Sequence, residues 1–287
     1  MAQETQLGMQ TRSLLNLGLL VLVTGLTVYL LSTEPPQTGP AFIPISTLDP
    51  DSVNTIQLSS PGKPDLELQK SGTGWQITNP ISLTANPFRV NSLLTFLQSR
   101  SISTVPPGGP SFGLAEADNP VTLVFNDQAF RFGDINPLDR SRYIQHNNTV
   151  HLVEDNLYPQ LLQDAAFFAS NRLLAVPANL LKIRLGQLEL EYLNNAWQQT
   201  GGTDKLTEDR ISTIAAYWQG LEASRVSAAT TMPSVTDIAL ETTSGNRIDL
   251  ATIALEPELL LQRLDTHIIY HYPASTATDL GIALNGN

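Results

Sequence analysis

The chain has 287 residues, with 16 Lys and Arg against 27 Asp and Glu, a formal charge of −11, four histidines and no cysteine. An apolar fraction of 41% suffices for an ordinary core, and at ~100–200 residues per domain the length admits one large or two small domains. Without cysteine there is no disulfide framework, thiolate metal site or cysteine nucleophile, and the acidic balance argues against sequence-independent nucleic-acid binding, which needs a basic footprint.

Residues 13–31, SLLNLGLLVLVTGLTVYLL, carry no charge over 19 positions. As a helix rising ~1.5 Å per residue they span roughly 28 Å, close to the ~30 Å hydrocarbon core of a bilayer. Asn16, Thr24 and Thr27 are small polar residues tolerated in membrane helices, Tyr29 falls where an interfacial aromatic belongs, and Pro35-Pro36 stops the helix. The stretch is longer than the ~7–15 apolar residues of a signal peptide, and Leu31-Ser32-Thr33-Glu34 is a poor cleavage site. An uncleaved transmembrane helix over residues 13–32 is therefore expected. Arg12 precedes it and the next basic residue is Lys63, so the positive-inside rule makes residues 1–12 a cytoplasmic tail and puts the rest outside. Glu4 and Arg12 cancel, so the outer part still carries −11, which disfavours adhesion to anionic headgroups. Gly18 and Gly25 lie seven apart on one face of the helix, a hint of close packing against a partner helix.

Residues 33–47 hold four prolines and read as a semi-rigid extended spacer. From Leu48 on, Ile56 and Leu58 share a strand face, Leu66 and Leu68 mark a second strand, and Trp75-Gln76-Ile77 follows the Gly72-Thr73-Gly74 turn. Asn86-Pro87 is an N-cap with proline at the first helical position, and Val90, Leu93, Leu94 and Leu97 form an amphipathic stripe. Strands at Val121–Phe125 and Ala129–Phe132 come next, then a hairpin pairing Tyr143–Gln145 with Val150–Val153 across Asn147-Asn148.

The same order returns. Strand runs at Leu181–Leu185 and Leu188–Tyr192 precede Trp197, and Thr207 with Glu208 and Asp209 caps a second helix. Its stripe, Ile211, Ile214, Ala215 and Trp218, lies 121 residues after the first at every position. Four further runs follow, at Asp237–Thr242, Arg247–Leu250, Leu259–Arg263 and His267–Tyr272. The expected class is α+β: after the transmembrane helix come two tandem repeated modules, each a mostly antiparallel sheet with one helix packed on it. Module one covers residues 48–155 and module two residues 178–275, with a connecting helix over 156–177 and a C-terminal tail over 276–287.

The words LDPDSVNTIQL (48–58), NPFRVNSLLTFLQS (86–99), FGL (112–114), FRFGDINPLDRSRYIQ (130–145) and TVHLVEDNLYPQLLQDAAFFASNRLL (149–174), in this order, resemble the bacterial domain-of-unknown-function family 4340. The resemblance implies a membrane-anchored bacterial envelope component and not a catalyst, so the anchor is read as inner-membrane and the outer part as periplasmic. It also implies an accessory role, since members are often encoded beside an ABC-type transporter and a gliding-motility-auxiliary-like protein. The family has no established catalytic or binding residues to transfer.

The chemistry-bearing residues are read as structural. A G-x-S-x-G elbow, a P-loop and a dinucleotide fingerprint are absent, and Pro106–Pro110 reads as a connector. His267 and His271 are expected on the solvated face of a strand, roughly 13 Å apart at ~3.3 Å per residue, too far for one metal. His146 and His151 are expected as a surface pair flanking their hairpin turn. Asp134, Asp139, Arg140 and Arg142 are expected as a turn with exposed ion pairs, Asp204, Glu208 and Asp209 as helix-dipole charges, and Asp49-Pro50-Asp51 as a turn. Trp75 and Trp197 could stack on sugars, but their matching places favour a core role, as does the stripe position of Trp218. No catalytic, cofactor-binding or metal-ligating residue is assigned, and no cofactor.

The leading expectation is a non-enzymatic docking subunit beside a transporter, held by a single anchor and working through protein–protein contacts. The competing one is an anchored binding module for a small molecule or glycan in the cleft between the modules. A cleft of convergent polar groups would favour binding, and an exposed apolar patch or open strand edge would favour docking.

Overall fold

A computed structural model describes residues 17–29, 43–106, 110–174, 179–231, 233 and 236–282. Helix α1 covers residues 17–29, apolar all round and exposed at every position. The hydroxyls of Thr24 and Thr27 donate to the carbonyls of Leu20 and Val23, at 2.7 and 2.8 Å, so each threonine satisfies itself within the helix. Among the described residues no helix is long and apolar enough to cross a membrane. The flanks of the expected span, 13–16 and 30–32, lie outside the described residues, as do the 1–12 tail and residues 107–109 of the proline-rich connector.

A separate unit begins at Ile43. Its first half runs β1 (Ile43–Pro44), β2 (Thr55–Ser59), β3 (Leu66–Ser71), β4 (Gly74–Asn79), β5 (Leu83–Thr84), α2 (Pro87–Phe96), β6 (Arg100–Ser101), β7 (Ser103–Val105), β8 (Val121–Phe125), β9 (Gln128–Ile135), β10 (Arg142–His146) and β11 (Thr149–Val153). Burial alternates along the strands, as in Val121, Leu123 and Phe125 of β8. The Asn86 side chain accepts the Phe88 and Arg89 amides and starts α2. α2 buries Val90, Leu93 and Phe96, and the Phe96 ring meets those of Phe125, Phe130 and Phe132 at 5.2–6.5 Å. Strand order is β5-β4-β3-β2-β8-β9-β10-β11-β7 with antiparallel neighbours throughout. Since β5 and β7 are opposite edges, α2 carries the chain across the sheet face from one edge to the other.

The second half runs α3 (Tyr158–Leu161), α4 (Ala165–Phe168), β12 (Leu180–Leu185), β13 (Leu188–Leu193), β14 (Ala196–Gly201), α5 (Glu208–Gln219), β15 (Arg225–Ala228), β16 (Ile238–Thr242), β17 (Arg247–Ala254), β18 (Glu258–Arg263), β19 (Ile268–Pro273) and α6 (Thr276–Asp279). Its sheet has the order β14-β13-β12-β16-β17-β18-β19-β15, again antiparallel, and α5 again leads from one edge strand to the other. Thr207 caps α5 by accepting the Arg210 amide, and all four stripe residues are buried. The fold is thus mixed, with two mostly antiparallel sheets and few helices. One apolar core cluster runs through both halves.

Four expectations are corrected. The connecting helix over 156–177 is instead two single turns, because the Asp164 side chain caps a new helix at the Phe167 amide and breaks the first. Beyond Phe168 the connector is extended, bridging at Ala169 and Arg172. The spacer ends early: Ile43–Pro44 pairs with β6, and Ile45 is buried. The C-terminal tail is partly core, since Ala277, Leu280 and Ile282 are buried and Trp218 Nε1 donates to the Leu280 carbonyl at 3.0 Å. His146 and His151 are not at the surface. Alternation along β10 turns Arg142, Ile144 and His146 inward, and His151 pairs with Ile144. His146 stacks on Phe130 at 4.2 Å, with Nδ1 3.1 Å from the Ala129 carbonyl. Trp75 and Trp197 are half-buried against the core, in line with the structural reading.

Two expectations follow for stability. Trp218→Ala removes a fully buried indole and should cost ~3–5 kcal/mol. Trp218→Phe keeps most of the packing but strands the Leu280 carbonyl, so urea unfolding should show a smaller loss, ~1–3 kcal/mol. A Phe variant as stable as wild type would mean that the C-terminal segment does not depend on this bond. Burial, then the nearby His146, pushes the His151 pKa below its usual 6.5. In the window between the folded and unfolded values the unfolded chain binds more protons, so stability falls as pH drops through about 6.5 and below. Urea titrations at stepped pH should show this fall, and His151→Phe should flatten it; an unchanged slope would refute the assignment.

Candidate functional site

The extended connector behaves as a strap. On one side the Asn86 amide donates to the Phe168 carbonyl at 2.7 Å and the Ser170 amide to the Thr84 carbonyl at 2.8 Å, covering the β5 edge. On the other side the Ala223 amide donates to the Asn171 carbonyl at 2.8 Å, just before β15. Along the strap lies a cleft of about 980 Å³. Its walls are residues 82–88, from β5 into α2, and residues 242–248, from the β16–β17 turn, with Arg263, Asp265 and Tyr270 beside them.

The cleft mixes apolar and polar lining, and its cations are matched. Arg172 pairs with Glu222 at 3.4 Å, Arg247 with Asp249 at 2.9 Å, and Arg263 with Asp265 at 2.8 Å. Burial pushes the Tyr270 phenol up, opposed by the adjacent Arg263, so it stays protonated. Phe88 stands on the lining at 80% exposure. None of the cleft side chains carries a spacing signal, since single amides and hydroxyls scattered over five segments look like ordinary surface.

A second cluster has the connectivity of a hydrolytic triad. Ser227 Oγ lies 2.8 Å from His271 Nε2, and His271 Nδ1 lies 3.2 Å from Glu258 Oε2. Arg225 changes its meaning. Its Nη1 is 3.2 Å from the same Nε2, and its Nη2 is 2.9 Å from Glu258. The lone pair that would take the serine proton therefore already accepts from a guanidinium, which suits cross-strand bonding of edge strand β15 to β19 and β18 better than general-base work. The His271 bond, then Arg225, holds the Glu258 carboxyl below its usual range. His271 is thus buried rather than solvated. His267 sits in the turn before β19 with φ 57° and lines a smaller cavity of about 350 Å³. Among the described residues no group of three or more His, Asp or Glu could hold a metal ion.

The Asp134–Arg142 loop separates instead of forming exposed pairs. Asp139 accepts the Ser141 hydroxyl at 2.6 Å and amide at 3.0 Å, which lowers its pKa. Arg142 turns inward, 2.8 Å from Asp155 and 3.5 Å over the Tyr158 ring, and donates to the Gly133 carbonyl. Phe112 stacks on Tyr143 at 4.1 Å, and a Cβ on Gly133 would fall 2.2 Å from the Phe112 carbonyl oxygen, so only glycine fits. These contacts give the FGL and FRFGD words a packing role.

Neither the comparison with curated proteins nor that with solved structures returns a match. The profile of one family, described as a domain of unknown function (DUF4340), matches residues 75–248, more than half of the 287 positions and most of both sheets. The chain belongs to the DUF4340 family.

Proposed function

We propose that this chain is a non-enzymatic, single-pass membrane protein of the bacterial inner membrane, with a cytoplasmic N-terminus and a periplasmic folded unit that serves as a docking subunit beside an ABC-type transporter. The observation that carries the anchor is α1, whose apolar residues are exposed on every side and whose threonines satisfy their own hydroxyls. A helix of this kind is stable in lipid and costly in water. Docking is supported by exposed aliphatic side chains at equivalent ends of the two sheets: Ile135 at the end of β9 and Leu138 after it, with Leu138 at 91% exposure, and Ile253 at the end of β17 and Leu255 after it. The non-enzymatic reading draws on Arg225 capping the one serine–histidine–carboxylate cluster described above. We further read the two sheets as tandem repeats, because strand order and helix crossover correspond from β4 and β14 onward.

The cleft favours a second reading, an anchored binding module for a small molecule or glycan. Its volume and convergent polar groups suit a ligand site more than a protein-docking face.

The test is a pull-down from gently solubilised membranes of the full chain and of a chain lacking residues 1–32, read by mass spectrometry. Docking predicts that the full chain stays in the membrane pellet through alkaline washing and brings a stoichiometric membrane partner, which the truncated chain loses. A full chain recovered alone and monodisperse would overturn docking and leave the second reading.

A further inference from the structure

We propose that the cleft along the strap binds an uncharged oligosaccharide, with the Phe88 ring as the platform for one sugar face. This rests on the binding-module reading and names its ligand class.

Charge comes first. All three guanidinium groups of the cleft are matched by carboxylates at 2.8–3.4 Å. The cleft therefore offers no spare cation to an anionic ligand and no unpaired carboxylate to a cationic one. The rest of its polar lining includes Asn86, Asn179, Asn246 and Thr243. Carboxamides and hydroxyls both donate and accept, which matches sugar hydroxyls that do the same.

Phe88 is the second observation. At 80% it is the most exposed aromatic among the described residues, and it lies on the lining of a cleft that mixes amides and hydroxyls with apolar side chains. Its ring offers an open apolar face beside amides, the complement of a pyranose with one C–H face and a rim of hydroxyls. A neutral peptide fits less well, because an extended peptide binds by adding to a strand edge, and residues 168–170 already cover β5. The volume of about 980 Å³ is at the top of the ~300–1,000 Å³ range for ligand sites, which suits several sugar units over one.

The experiment uses the full chain in a polyoxyethylene detergent, whose head group carries no sugar. Calorimetry is run with maltopentaose, cellopentaose, mannopentaose and chitopentaose, and with tetragalacturonate as the charged control. At least one neutral pentasaccharide should bind one-to-one with a Kd of roughly 10 µM to 1 mM and little dependence on salt. Phe88→Ala should weaken it about tenfold with unchanged circular dichroism, and Phe88→Trp should restore it. Failure of every neutral sugar to bind, or indifference to Phe88→Ala, overturns the proposal. Native mass spectrometry of the chain extracted from its own membranes separates the two levels. A bound non-carbohydrate small molecule, or tetragalacturonate binding, lost on Asn246→Ala would reject the uncharged-oligosaccharide class and keep the binding module. No ligand by either method would reject both.

Discussion

The backbone bonds that the strap makes to β5 organise the second unit. A two-residue edge strand is a weak element, with few ladder bonds and an open row of backbone groups. Pairing residues 168–170 with it satisfies that edge and fixes where the chain leaves the first sheet. The strap then reaches the segment before β15 through Asn171 and Ala223. The two sheets are thereby tied at a defined spacing, and the cleft is the space this tie leaves open. The continuity of the apolar core through both halves has the same origin, since Phe168, Ala169, Leu173 and Leu174 are buried as the strap passes between them.

Much of the fold is legible because its signals are local. Asn86-Pro87 and Thr207 mark helix starts through side chains that reach amides two and three residues away, and both caps form as expected. Strands such as Val121–Phe125 are equally plain, because period-two burial needs no knowledge of the partner strand. What is not legible depends on distant partners. β5, β6 and β15 are two to four residues long, and only their neighbours make them strands. His146 and His151 look like polar residues flanking an Asn-Asn turn, yet His146 lies on the inward face of β10 against the Phe130 ring, and His151 is buried opposite Ile144 on β11. The Leu157–Leu174 pattern fits a helix, but the Asp164 side chain competes for the backbone and resets the chain. The cleft is the extreme case, since its residues converge only once both sheets and the strap are in place.

The sheets share a strand order, yet only the first has a strand in the β5 position, and the reason is one side chain. After β4 the chain turns back and pairs, Ile77 with Leu83 and Gln76 with Thr84. After β14 the returning chain is held by the Gln199 carboxamide. Its Nε2 donates to the carbonyls of Gly201 and Asp204 at 3.0 and 2.8 Å, and its Oε1 accepts the Leu206 amide at 3.0 Å. A side-chain amide here does the work of a strand ladder, so the loop is satisfied without presenting an edge. The strap can therefore dock on this edge of the first sheet, and it meets the second half instead at the segment before β15. Equal strand orders with unequal edges leave the cleft beside β5, where the start of α2 sets Asn86 and Phe88 against it.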